Sequence, residues 1–104
     1  MMALPDKNTI LKTLAEHSRQ LEGYGVKQIG LFGSYVRNEA THNSDIDLLV
    51  DMHKDRKTFR NFMSLNYFLE ELLHNKVELV TMQSLSPYIG PHILKTVEYA
   101  SFAG

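Results

Sequence analysis

The sequence predicts an α/β (α+β) fold: a small mixed β-sheet flanked by helices. Three observations predict it. Segments with apolar side chains at helical spacing alternate with short aliphatic and β-branched runs, in the order α, β, α, β, α, β, α. Gly- and Pro-containing stretches separate them. At 104 residues the chain has room for a single core, so residues 1–104 are expected to form one domain.

The first helix is expected from about Asp6 to Leu21, where Ile10, Leu11, Leu14, Ala15 and Leu21 recur, and Gly23-Tyr24-Gly25 stops the pattern. Val26 to Phe32 reads as a strand ending at Gly33, where the backbone must turn sharply. Ser34 caps a short helix over Tyr35 to Glu39; Thr41-His42-Asn43-Ser44 is a loop, and Asp45 to Met52 is the second strand. After the charged connector Lys54-Asp55-Arg56-Lys57, the stripe from Phe59 to Leu73 makes the longest helix, with Phe59, Phe62 and Phe68 expected in the core. Lys76 to Met82 holds β-branched Val77, Val80 and Thr81 and reads as the third strand. Ser84, Ser86 and Pro87 punctuate the chain before a closing helix over Tyr88 to Phe102, interrupted early by Gly90-Pro91.

Composition excludes several functions. With 43% hydrophobic and 22% charged residues the chain resembles an average soluble globular protein. Eleven basic against 12 acidic side chains, a formal charge of −1, create no overall field for nucleic acid or an anionic membrane. No apolar stretch approaches the roughly 20 residues of a membrane span, and no signal-peptide core is present, so a cytoplasmic location is expected. The absence of cysteine agrees and excludes a thiolate metal site.

The chemistry lies in three acids and a turn. Side chains at i and i+2 of a strand leave the same face about 6.5–7 Å apart at Cα, so Asp45 and Asp47 aim their carboxylates at one space. Asp47 lies inside Ile46-Asp47-Leu48-Leu49-Val50, where an unpartnered charge is costly to desolvate. A divalent cation supplies the partner, and Mg²⁺ keeps waters and substrate phosphates as its remaining ligands. The plain alternative is a polar strand entrance. Upstream, the glycine of Gly33-Ser34 lets a phosphate approach the backbone, Ser34 adds a hydroxyl, and the free N–H groups of a helix starting there face an anion. Arg37, one turn on, offers a charge-assisted contact. Alone, a Gly-Ser pair is also a routine strand-to-helix turn; its place before the two aspartates changes its meaning. Glu78, within Lys76-Val77-Glu78-Leu79-Val80, is the next acid in a strand. If that strand pairs beside the second, Glu78 projects to the same face as general base and third metal carboxylate; otherwise it is an exposed edge glutamate.

Gly30 to Glu39 followed by Ser44-Asp45-Ile46-Asp47-Leu48-Leu49-Val50 resembles the GS…D-x-D signature of the nucleotidyltransferase superfamily. From about Val26 to the C-terminus the chain resembles the minimal, MNT-type (MntA-like) members, the small partners in HEPN–MNT toxin–antitoxin pairs. That resemblance implies a polymerase β-like palm core and Mg²⁺-dependent transfer of a nucleoside monophosphate to a hydroxyl. For MNT antitoxins it implies AMP transfer from ATP to a tyrosine of the HEPN toxin, hence a hetero-oligomer with that toxin. On this chain Gly33 and Ser34 would hold the triphosphate, with Arg37 and Ser44 grouped among the phosphate contacts. Asp45 and Asp47 would ligate metal, and Glu78 would stand third. Two residues depart from the pattern. Asn38 stands where glycine is common, and asparagine tolerates the left-handed backbone. Glu78 stands where aspartate is usual, and a displacement of about 1 Å can cost on the order of a hundredfold in rate.

Two other functions compete. The chain is a non-catalytic antitoxin that neutralises by binding alone, or an RNA or small-molecule nucleotidyltransferase, which usually needs a further acceptor-recognising domain. Five histidines, His17, His42, His53, His74 and His92, show no zinc-ligand spacing; His74 suits a helix end. Lys54, Arg56, Lys57 and Arg60 read as a solvated helix start, and Tyr88, Tyr99 and Phe102 as core or interface aromatics.

Overall fold

A computed structural model describes residues 4–102 of the chain. Asp6 starts α1 (Lys7–Glu16): its carboxylate accepts the Thr9 N–H at 2.8 Å, and that bond holds its pKa below the ordinary value. The expected single first helix is two. His17 leaves the helical region at φ −108° and ψ 24°, its Nδ1–H donating back to the Thr13 carbonyl at 2.8 Å, and α2 (Ser18–Gly23) follows. Leu14 of α1 and Leu21 of α2 are both fully buried.

β1 (Val26–Phe32) and β2 (Ile46–Met52) pair antiparallel, and β2 pairs parallel with β3 (Val77–Thr81). The parallel step needs a crossover, which α3 (Phe59–Leu73) supplies. Thr58 caps α3 by accepting the Asn61 N–H at 3.1 Å, and His74 ends it in the left-handed region at φ 52°. Glu70 of α3 accepts the Val77 N–H at 3.0 Å, and the Ile46 N–H donates to the Lys76 carbonyl at 2.9 Å, fixing β3 against β2. The basic connector is partly structural. Arg56 donates to the Gly23 carbonyl at 2.7 Å, and the Asn61 amide donates to the Arg56 carbonyl at 2.9 Å and to that of Tyr24.

The closing segment differs from expectation. Pro91 opens α4 (Gly90–Thr96) instead of interrupting a longer helix, since a helix's first turn does not need its N–H. Val97 turns extended at φ −61° and ψ 138°, and β4 (Glu98–Tyr99) pairs antiparallel with β1. Gly30 makes room: a Cβ there would stand 2.6 Å from Val97 Cγ2 and 2.9 Å from Tyr99 Cδ1. Lys7 pairs with Glu98 at 2.8 Å, and the Ala100 N–H donates to the Ile29 carbonyl at 2.9 Å. The sheet order is therefore β3-β2-β1-β4, four strands instead of three.

Alternation sorts the sheet into two faces. Ile29, Leu31, Ile46, Leu48, Val50 and Val77 pack in one cluster with Ile10, Leu14, Leu21, Leu65 and Leu69 of the helices. Phe62 and Phe68 lie against that cluster, but Phe59, at the first position of α3, is 80% exposed and outside the core. The other face receives the residues between: Phe32, Asp47 and Glu78, side by side in register across three strands.

Candidate active site

β1 ends at Gly33, whose φ of 78° only glycine adopts without strain. A Cβ there would overlap Asp47 Oδ2, so the turn and the aspartate are in direct contact. The short helix expected over Tyr35 to Glu39 is a 3₁₀ turn, Gly33–Tyr35, followed by further turns. Val36 and Arg37 N–H both reach the Gly33 carbonyl at 3.2 Å, Glu39 N–H reaches that of Ser34 at 2.9 Å, and Asn38 is left-handed at φ 59°. Asn38 thus holds the conformation expected of it. Tyr35 is buried, and its hydroxyl accepts from the Asn75 amide at 3.1 Å, anchoring the turn to the segment before β3.

Asp47 is half-buried, directly beside Glu78 in the parallel register. Its pKa is pushed up to about 6, by burial first, then by hydrogen bonding with Glu78 and the charges of Glu78 and Asp45; Arg37 opposes the rise. Asp45 stands just before β2, two residues from Asp47, so its charge and that of Glu78 both act on Asp47. Asp47 thus adjoins Glu78 across the strands and feels the charge of Asp45 two residues before it.

The phosphate-side residues are placed less uniformly. Ser34 lies in the first turn after Gly33 and is half-buried. Arg37 is exposed and paired with Glu39, Nε to Oε1 at 3.0 Å. Ser44 closes its own loop: its hydroxyl accepts the Thr41 N–H at 2.8 Å, and its N–H donates to the Thr41 carbonyl at 3.0 Å. That staple closes the loop immediately before Asp45. Phe32, beside Asp47, and the Tyr35–Asn75 pair were not singled out from the sequence; their partners lie far along the chain and left no local signal.

The donor set fits a hard divalent cation. Mutually repelling carboxylates with one arginine nearby have unbalanced negative charge, and oxygen ligands are what Mg²⁺ takes. Among the described residues no three His, Cys, Asp or Glu side chains close round one point. Mg²⁺ is commonly held by one or two carboxylates plus water and phosphate, so a closed protein cage is not required. A larger cavity, about 490 Å³ and lined by Tyr24, Arg56 and Arg60 among others, lies at the other end of β1, and none of these acids lines it.

A strand-end glycine pressed on a D-x-D aspartate, with a third acid in register, is the arrangement that the structure presents, and the chain belongs to the nucleotidyltransferase family. The family model described as Nucleotidyltransferase domain matches residues 11–100. Protein adenylyltransferase MntA of Thermococcus cleftensis is 40% identical over 99 residues, covering 94% of this chain and 99% of that protein. A solved structure assigned as a minimal nucleotidyltransferase superposes with a TM-score of 0.79 at 28% identity, covering 93% of this chain and 98% of that one. A chain of the complex between tri-AMPylated HEPN toxin of Shewanella oneidensis and its MNT antitoxin gives a TM-score of 0.64 at 21% identity, covering 90% and 73%; that likeness bears on the fold. Among the described residues no helix is long and apolar enough to cross a membrane.

Proposed function

We propose that this chain transfers AMP from ATP to a tyrosine hydroxyl of a HEPN toxin, with Mg²⁺ as cofactor, and so acts as its antitoxin. The observation that carries the reading is the in-register Asp47–Glu78 pair against Gly33. The Thermococcus cleftensis relative, a protein adenylyltransferase matched over nearly its full length, supports the class of group transferred, and the toxin–antitoxin complex of a protein with the same fold supports the kind of partner.

Asp45 and Asp47 would hold Mg²⁺, which when bound neutralises charge on the phosphates and the reacting oxygens. The chain's own residues do the rest. The turn at Gly33 and Ser34 presents backbone N–H groups and a hydroxyl to the triphosphate, and Arg37 exchanges its Glu39 partner for phosphate oxygen. Ser44 contributes by holding the loop before Asp45. Glu78 takes the proton of the attacking hydroxyl as its oxygen bonds to the α-phosphorus and pyrophosphate leaves with the bridging electrons.

With the cognate toxin, ATP labelled at the α-phosphate and Mg²⁺, wild type should label the toxin, and the double variant Asp45→Asn, Asp47→Asn should not, while keeping its circular dichroism spectrum. Equal labelling by the double variant sinks the mechanism. Equal toxin neutralisation without labelling in either protein establishes the binding-only antitoxin instead.

A further inference from the structure

We propose that the cavity between β3 and α4 seats the aromatic ring of the acceptor, a tyrosine side chain of the partner protein, with its hydroxyl at Glu78; the inference rests on the adenylyl-transfer reading above. The cavity is about 330 Å³, with Phe32, Val80, Leu85, Ile89 and Ile93 as its apolar lining and Glu78 as its acid. Phe32 and Glu78 are the two residues flanking Asp47 in the sheet, so the floor begins at Glu78, beside Asp47, and continues along β3 to Val80, on the same face.

The lining excludes the alternatives in turn. Among the described residues no lysine or arginine borders the cavity, so a triphosphate finds no counter-charge from them there. A purine would need donors and acceptors along its edge. The neutral polar side chains present are Ser84 and Ser86, and both are engaged: Ser84 Oγ donates to the Thr81 carbonyl at 2.9 Å, and Ser86 Oγ accepts the Ile89 N–H at 3.0 Å. What fits is an apolar ring with one polar tip, and tyrosine is that side chain. The volume, at the low end of small-molecule sites of about 300–1,000 Å³, is ample for a phenol ring. In the same segment Tyr88, Ile89 and Leu94 are 84%, 61% and 50% exposed, an apolar surface for the chain that carries the ring.

In the step, the phenolic oxygen forms a bond to the α-phosphorus of ATP. The bond from that phosphorus to the oxygen bridging the β-phosphate breaks, its electrons leave with pyrophosphate, and the phenolic proton passes to the Glu78 carboxylate.

The test uses the full chain and p-cresol, the tyrosine side chain as a free molecule. Methyl resonances of Val80, Ile89 and Ile93 should shift on titration with p-cresol, in wild type and in the Asp45→Asn, Asp47→Asn variant alike. With labelled ATP and Mg²⁺, Ile89→Asp and Ile93→Ala should each raise KM for N-acetyl-tyrosinamide at least about tenfold, with AMP-PNP affinity unchanged. N-acetyl-serinamide should be the poorer acceptor. Unmoved methyls together with wild-type KM in both variants overturn the slot and leave adenylyl transfer standing. A parallel loss of AMP-PNP affinity overturns it in favour of a base pocket. Methyl shifts with no transfer to any acceptor overturn the acceptor role through failure of the adenylyl-transfer reading itself.

Discussion

At Gly33 the backbone lies so close to the Asp47 carboxylate that a methyl group in place of the glycine hydrogen must displace it, and the φ of 78° adds strain. Gly33→Ala should therefore lower labelled-AMP transfer by about a hundredfold, the scale of a 1 Å misplacement, with the protein still folded by circular dichroism. Asp47 carries a second prediction. Its folded pKa of about 6 exceeds the ordinary aspartate value of 3.8, so between those pH values the folded state binds more proton than the unfolded. Its contribution to stability is then highest below about pH 4 and falls as pH rises through about 6. In metal-free buffer Asp47→Asn should stabilise the protein more at pH 7 than at pH 4.5, as read by urea midpoints; no difference between the two pH values would contradict the burial and charge argument. A strand aspartate among aliphatic residues was legible as costly in Ile46-Asp47-Leu48. Its neighbours on the adjoining strands were not, because residues 32 and 78 are brought to it by pairing alone.

Among elements, the strands bearing the chemistry were the most legible. β1 matches its expected limits and β2 and β3 differ by a residue at their ends, because aliphatic and β-branched runs bounded by turn residues have few other uses. The closing segment was misread because Ile89, Ile93, Val97 and Tyr99 fit a helical period, yet the space over Gly30 draws Val97 and Tyr99 onto β1. That competition is between local periodicity and a partner about seventy residues away, and a pattern within one window contains only the first. The turn after Gly33 shows a local rule holding. Asn38→Ala should cost about 1 kcal/mol by urea unfolding, the penalty for an ordinary residue at φ 59°, whereas Asn38→Gly should not destabilise.

For the whole molecule, burial of one sheet face under three helices leaves the other free to carry charge at its edge, and a ligand that neutralises that charge should stabilise the fold. Mg²⁺ with AMP-PNP at about 100 times Kd should add about 2.7 kcal/mol, seen as a raised Tm, and the Asp45→Asn, Asp47→Asn variant should show far less. An unchanged wild-type Tm would count against nucleotide binding at this site.

By itself the sequence determined the alternation of elements, the glycine turn, the paired aspartates and the candidate third acid, because period, turn chemistry and the desolvation of charge act within a few residues. Tertiary structure alone decided that Glu78 stands beside Asp47, that Gly33 touches Asp47, that a fourth strand closes the sheet, and that an apolar cavity opens beside Glu78. Strand register and helix placement follow from burying one face of the sheet completely, and that demand is met by the chain as a whole.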